Sequence, residues 1–292
     1  MSLRNCVNNY NIYRIPFLRR PQKCGLFEYE GMEKEGKGDS PLYKKLMNKI
    51  LEACVDSVAS AIAAERGGAD RVELCSNLII GGTTPERAVF EQVKKHTNLK
   101  IRVLLRPRFG DFCYDAYEFE TLKEDMRMFR ELGADGVVIG ILKPDGTLNM
   151  EEMEALVELA GDMDVTLHRA FDVCRNPYET LEQSVGMGIR TILTSGQQNS
   201  AWEGRALLKE LVEKSAGRIE IMAGAGISPE TIEKLVPYTG ATAYHMSGKV
   251  TKESRMEFRR DGVSMGFPGF SEYEIWQTKE ENIRKAVKVL KK

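Results

Sequence analysis

Short apolar runs recur along this chain at intervals that fit one architecture. They fall at 50–55, 71–75, 99–106, 136–141, 164–170, 191–194, 219–223 and 243–246. Between them lie stretches of helical length whose apolar residues recur three and four apart. Asp56 is placed to cap a helix over Val58, Ala61 and Ile62, and Thr84-Pro85, Asn149, Asn176 and Ser228-Pro229 start others. Gly68, Gly133, Gly188 and Gly240 each end a helix just before the next strand, where a left-handed residue turns the chain back. Eight such units, the last helix over 278–290, predict an α/β fold of the TIM (β/α)8 barrel type, one domain over 47–292. An open doubly wound sheet is the alternative, but no Gly-x-Gly-x-x-Gly follows an early strand. Residues 1–46 break the pattern. They are aperiodic, mixed in charge and rich in Gly, Lys and Glu around 33–38, and read as a poorly ordered N-terminal extension.

Strands of a parallel barrel are expected to be apolar on both faces. Several here alternate instead. Leu51, Ala53 and Val55 oppose Glu52 and Cys54; Val72 and Leu74 oppose Glu73 and Cys75. Ile101, Val103 and Leu105 oppose Arg102, Leu104 and Arg106, Val165 and Leu167 oppose Thr166 and His168, and Ile219 and Ile221 oppose Glu220 and Met222. The apolar face must meet the helices, so the polar face points into the barrel. Charges there must pair or face a wet pocket. Glu52, Arg102 and Glu220 lie mid-strand and are expected to form a charged plug. Glu73, Arg106 and His168 lie near C-terminal strand ends, where TIM barrels build their sites.

Composition removes several function classes. The 292 residues carry a net charge of -1 and 42% hydrophobic content, enough for a large core and without the global basic field of a nucleic-acid or membrane-surface binder. No apolar run approaches the roughly 18 residues of a membrane span, and the apolar stretch at 15–18 is too short for a signal peptide. Cys6, Cys24, Cys54, Cys75, Cys113 and Cys174 form no Cys-x-x-Cys, which reads as free thiols in a reducing cytoplasm.

Chemistry gathers at the expected mouth. Leu167-His168-Arg169-Ala170-Phe171-Asp172 runs from a strand into an imidazole, a guanidinium and a carboxylate. With Glu73 and Arg106 this set supports general acid–base catalysis, His168 carrying the proton and Glu73 or Asp172 its partner. Arg169 has the opposite parity and reaches the site only if the strand breaks; otherwise Arg169 and Asp172 form a structural ion pair. Ser195 and Gly196 after strand six, Gly224 and Gly226 after strand seven, and Ser247 after strand eight are candidates for cradling a phosphate or other anion. Arg106 or Arg169 would bind it bidentately. Cys54 and Cys75 end the first two strands in matching positions, and adjacent strands lie about 4.8 Å apart. Two soft thiolates suit Cu(I); two small buried residues is the competing reading. Cys113 is a third ligand or a loop anchor. The late aromatic group, Phe267, Phe270 and the aromatic residues of 273–276, forms a lid, an oligomer contact or packing under the last helix.

Several blocks together resemble the copper homeostasis protein CutC family. They are Leu51-Glu52-Ala53-Cys54-Val55-Asp56-Ser57, Gly67-Gly68-Ala69-Asp70-Arg71-Val72-Glu73-Leu74-Cys75, Gly81-Gly82-Thr83-Thr84-Pro85 and Arg106-Pro107-Arg108 with Gly110-Asp111-Phe112-Cys113-Tyr114. Thr166-Leu167-His168-Arg169-Ala170-Phe171-Asp172, Leu193-Thr194-Ser195-Gly196 and Met222-Ala223-Gly224-Ala225-Gly226 continue them, and the first 46 residues fall outside. The resemblance implies a cytoplasmic TIM barrel, homo-oligomeric and tied to copper tolerance, with Cys54 and Cys75 as copper ligands. It brings no reaction with it. Two functions from different classes follow: a copper-binding protein with Cu(I) as its partner, and an enzyme or sensor for a small anionic or phosphorylated metabolite at the barrel mouth.

Overall fold

Each alternating run pairs in parallel with the next, and the last pairs with the first, so the sheet has no free edge. The computed structural model describes residues 49–260, 262–263, 265–266 and 269–292, so the extension read over 1–46, and Phe267, lie outside the described residues. The barrel strands are β1 (Ile50–Val55), β2 (Arg71–Leu74), β3 (Lys100–Leu104), β4 (Gly136–Ile139), β5 (Asp164–Leu167), β6 (Thr191–Thr194), β7 (Glu220–Ala223) and β8 (Ala243–Met246). The helices that wrap them are α1 (Val58–Gly67), α2 (Arg87–His96), α3 (Ala116–Glu131), α4 (Met150–Ala160), α5 (Pro177–Gly186), α6 (Arg205–Ser215), α7 (Pro229–Thr239) and α8 (Glu280–Leu290). The TIM barrel read from the periodicity is the observed fold. No helix among the described residues is long and apolar enough to cross a membrane.

Local chemistry sets the ends of these elements. The cap of α1 is Ser57, not Asp56: Ser57 has extended backbone and its hydroxyl accepts from the Ser60 N–H. Helix α2 starts at Arg87, later than Thr84-Pro85 suggests, because the Thr84 hydroxyl is already accepting from the Arg106 N–H and ties that loop to β3. Asn149 precedes α4 without a side-chain cap bond, whereas Asn176 and Ser228 cap α5 and α7 as read. Strand β5 stops at Leu167, three residues early. His168 then caps a 3-10 helix, Arg169–Val173, its ring accepting from the Ala170 N–H. That break turns Arg169 toward the mouth.

A β-hairpin that the periodicity does not predict follows β8. Its strands, β9 (Lys249–Glu253) and β10 (Glu274–Thr278), pair only with each other. Phe270 and Trp276 pack edge to face in this region, 6.4 Å apart, with Phe270 exposed. Helix α8 instead lies against α1 at Gly67, where a Cβ would sit 2.6 Å from Ile283; glycine is what permits that approach.

The core has two unequal parts. The large part lies between sheet and helices and holds the apolar strand face with residues such as Phe90, Phe129 and Leu156. The barrel interior holds the polar face. Arg71 donates from Nε to Glu52 at 2.5 Å and from Nη2 to Glu220 at 2.7 Å. Arg102 lies 3.8 Å from Glu52, donates to Thr166 and Thr191, and pairs with Asp164 at 3.1 Å. Glu52, Arg102 and Glu220 are therefore the plug the alternation predicts, with Arg71 as a member it did not single out. Burial opposes charge on Glu52, but Arg71, His245 and Arg102 outweigh it and hold the carboxyl down to about 2.

Removing one member should expose the cost of the rest. Glu52→Gln strands Arg71 and His245 without their shared carboxylate, and urea denaturation should show a loss of about 3–5 kcal/mol. A loss near zero would mean that the plug is not held by charge.

Candidate functional site

At the C-terminal end of the barrel the interior opens into a cavity of about 500 Å³. Its floor is built by β1, β2 and β8. The register pairs Glu52 with Arg71 and with His245, and Cys54 with Glu73, which puts these side chains on one face of three neighbouring strands. The Cys54 thiol donates to Glu73 Oε2 at 3.1 Å. His245 lies between two carboxylates, with Nδ1 2.9 Å from Glu52 Oε1 and Nε2 3.5 Å from Glu73 Oε2. One ligand atom each of Cys54, Glu73 and His245 falls within 4.8 Å of the others, a spacing that suits a metal ion. Cys75 Sγ lies 3.9 Å from Cys54 Sγ, fully buried behind it.

The electrostatics of the floor follow from its burial. The hydrogen bond with Cys75, burial and Glu73 hold the Cys54 thiol well above its ordinary pKa. Burial also raises Glu73. For His245 burial works against charge, but Glu73 and Glu52 win and raise its pKa. Cys54, Glu73 and His245 are thus all shifted toward holding their protons. A bound soft metal replaces those protons, since thiolate and neutral imidazole are the ligating forms. Glu52 would then keep Nδ1–H and aim Nε2 at the metal, the usual carboxylate–histidine–metal arrangement.

The walls come from β3, β5 and the loops after β7 and β8. Arg106 and His168 flank the Phe112 ring, at 5.0 Å from Cζ and 4.7 Å between rings. Arg169, Gly226, Ser247 and Lys249 stand nearer the rim. Lys249 Nζ sits over the Trp276 ring of the hairpin.

The structure thus brings Cys54, Glu73, Arg106, His168, Arg169, Gly226 and Ser247 to one cavity. It does not bring Asp172, Ser195, Gly196 or Gly224 there. Asp172 organises the loop after β6, accepting from Thr194 Oγ1, Ser195 and the Gln197 N–H, and pairs with Arg169 at 2.7 Å. The ion-pair reading therefore holds for Arg169 and Asp172, and Asp172 is not a partner for His168. The Gly196 N–H is bound by Thr194 Oγ1 and the Gly224 N–H by the Thr194 carbonyl, so neither is a donor to an anion. Ser195 is fully buried; its hydroxyl has Asp172 and the Gln198 carbonyl as acceptors and itself accepts from Arg169. Cys113 is a loop anchor, its carbonyl accepting from Arg108.

His168 is not the proton carrier read from its residue type. Burial and the Arg106 charge push it down to about 3, so the ring is neutral near pH 7. His245 is the imidazole the sequence reading passed over. The signal was present: His245 alternates with the buried Tyr244 and Met246 at the C-terminal end of β8, the same parity argument that turned Glu73 inward.

The depressed pKa of His168 has a measurable consequence. The unfolded chain takes up a proton at this residue below about 6.5 and the folded chain does not, so stability falls as pH drops through that value. Near pH 5 this group should cost about 2 kcal/mol relative to pH 8, roughly 4–8 °C in melting temperature. His168→Asn keeps an acceptor for the Ala170 N–H, and its melts at the two pH values should lie closer together by that amount.

Comparisons with known proteins identify the family. The family model of the CutC family matches residues 49–250. A CutC family protein of Chromobacterium violaceum is 44% identical over 82% of this chain and 96% of its own length. The human copper homeostasis protein cutC homolog is 43% identical over 80% of this chain and 86% of its own. A solved CutC structure from Streptococcus agalactiae superposes with a TM-score of 0.66 at 30% identity, covering 68% of this chain and 98% of that one. Fold, residue blocks and relatives coincide: the chain belongs to the CutC family.

Proposed function

We propose that this protein binds Cu(I) at the floor of the barrel mouth and serves copper homeostasis through that site. The observation that supports the reading most is the grouping of Cys54, Glu73 and His245 within 4.8 Å of one another, with the Cys75 thiol 3.9 Å from that of Cys54, beneath an open cavity. Thiolate sulfur is the soft donor that Cu(I) selects, and imidazole is an acceptable third ligand. Glu73 is a hard oxygen donor. Its part is to accept the Cys54 hydrogen in the metal-free protein and to offset the charge of the bound ion. The named role of the human relative in copper homeostasis points the same way. The reading places the chain in a reducing cytoplasm, where Cys54 and Cys75 stay thiols.

An anaerobic competition titration with a Cu(I) chelator tests it. The wild type should bind one ion, and Cys54→Ser with Cys75→Ser should weaken binding about a hundredfold or more, as loss of two soft ligands requires. His245→Gln should weaken it about tenfold. Unchanged affinity in the double variant would remove copper from these residues.

Self-association belongs to the same reading. Its support is the row of apolar side chains that the hairpin region leaves exposed, Met256, Phe258, Met265 and Phe270. Sedimentation should give a mass that is a multiple of 32.9 kDa, and Phe258→Ser with Met265→Ser should lower it.

A further inference from the structure

Arg106 is a buried cation without a counter-charge among the described residues. Arg106 lies two residues past the end of β3, is 8% exposed, and its guanidinium donates, among the described residues, to neutral carbonyls: Gly81 at 3.3 Å, Gly82 at 3.0 Å and Gly110 at 2.8 Å. No carboxylate among the described residues pairs with it, and its Nε finds no acceptor. A buried charge left uncompensated costs several kcal/mol. The rest of the barrel does not tolerate this: Arg71 and Arg102 both sit on carboxylates.

The neighbouring imidazole repeats the pattern. His168 Nδ1 accepts from the Ala170 N–H, so the neutral ring carries its proton on Nε2. That N–H also has no acceptor, although the residue is 4% exposed. Both groups flank the Phe112 ring and both line the cavity. Two buried N–H donors on adjacent walls thus lack the same thing. The loop after β7 adds to them. The backbone N–H groups of Ala225, Gly226 and Ile227, all cavity residues, have no acceptor among the described residues. Ala225 is held at a φ of 69°, a left-handed conformation that a non-glycine residue adopts at a cost.

We infer that the cavity binds a small organic oxyanion, a carboxylate or a phosphate ester, whose oxygens accept from Arg106 and His168. Carboxylate and phosphate share the chemistry that recognises them: charged oxygens that complete the guanidinium and the imidazole N–H. This site is separate from the copper corner, where Cys54, Cys75 and His245 offer soft donors. Lys249 and Arg169 at the rim supply the positive field through which an anion enters. Cys54 and Glu73 line the same cavity as Arg106 and His168, so the two sites share one mouth.

The test uses the full chain with copper removed by a chelator. Melting temperature is followed while inorganic phosphate, and separately malonate, is added against sodium chloride of matched ionic strength. At least one of the two anions should raise the melting temperature saturably. Arg106→Gln should abolish that rise, and His168→Asn should weaken the apparent affinity about tenfold. A response to phosphate alone assigns a phosphate ester and a response to malonate alone a carboxylate. The inference is overturned if neither anion exceeds sodium chloride, or if both variants respond as the wild type does. If Arg106→Gln does not fold, His168→Asn decides by the same readout. The Cu(I) titration is independent of this result, so either reading fails alone.

Discussion

The structure depends on one carboxylate, Glu52. It is fully buried in the middle of β1 and serves two cations and an imidazole at once. Oε2 takes Arg71 and lies within reach of Arg102, while Oε1 takes His245. A barrel interior filled with aliphatic side chains would hold together without such a device. Here the polar face of the strands leaves no choice, because each charge must find its opposite inside a space that water does not fill. The pairs also fix register: Arg71 reaches Glu52 on one neighbouring strand and Glu220 across the barrel. A slip of one residue would point every one of these charges into the helix layer.

The same carboxylate links the plug to the chemistry above it. By holding Nδ1 of His245, Glu52 leaves Nε2 facing Glu73 and the Cys54 thiol. The cluster of Cys54, Glu73 and His245 is thus the upper surface of the plug, not a separate construction. The thiols of Cys54 and Cys75 are unusual in one respect. Both are buried, and the neighbouring thiol, burial and Glu73 raise the pKa of Cys54, which makes Cys54 a poor nucleophile while it keeps its proton. That suits capture of a soft ion better than it suits covalent catalysis. The opposite wall has the reverse character, with donors that lack acceptors. The mouth thus carries thiols and an imidazole on one side and, among the described residues, donors without acceptors on the other.

Particular residues show how far the chain could be read. Alternation placed Glu52, Glu73, Arg102, Arg106 and His168 inside, because parity in a strand is a local property that needs only the next residue to define it. The same rule held His245, but β8 is flanked by glycine-rich turns that drew attention to the backbone instead. Ser195, Gly196 and Gly224 illustrate the limit. Their types suit anion binding, yet Thr194 and Asp172 occupy their donors, and no sequence separation reveals who reaches a hydroxyl first. The hairpin of β9 and β10 was also unseen, since its strands are mixed in charge and its pairing partner lies some twenty residues on.

The sequence by itself determined the barrel, the inward face of each alternating strand and the two thiols placed to meet at its mouth. These depend on periods of two and 3.6 residues and on glycine at the turns, all of which are local. Tertiary structure alone decided which charges neutralise one another. It joined Glu52 to His245 across 193 residues and left Arg106 with three carbonyls and, among the described residues, no carboxylate. The reason is physical. Burial and pairing set whether a polar group is satisfied, charged or waiting for a ligand, and both are properties of neighbours that only the closed barrel brings together.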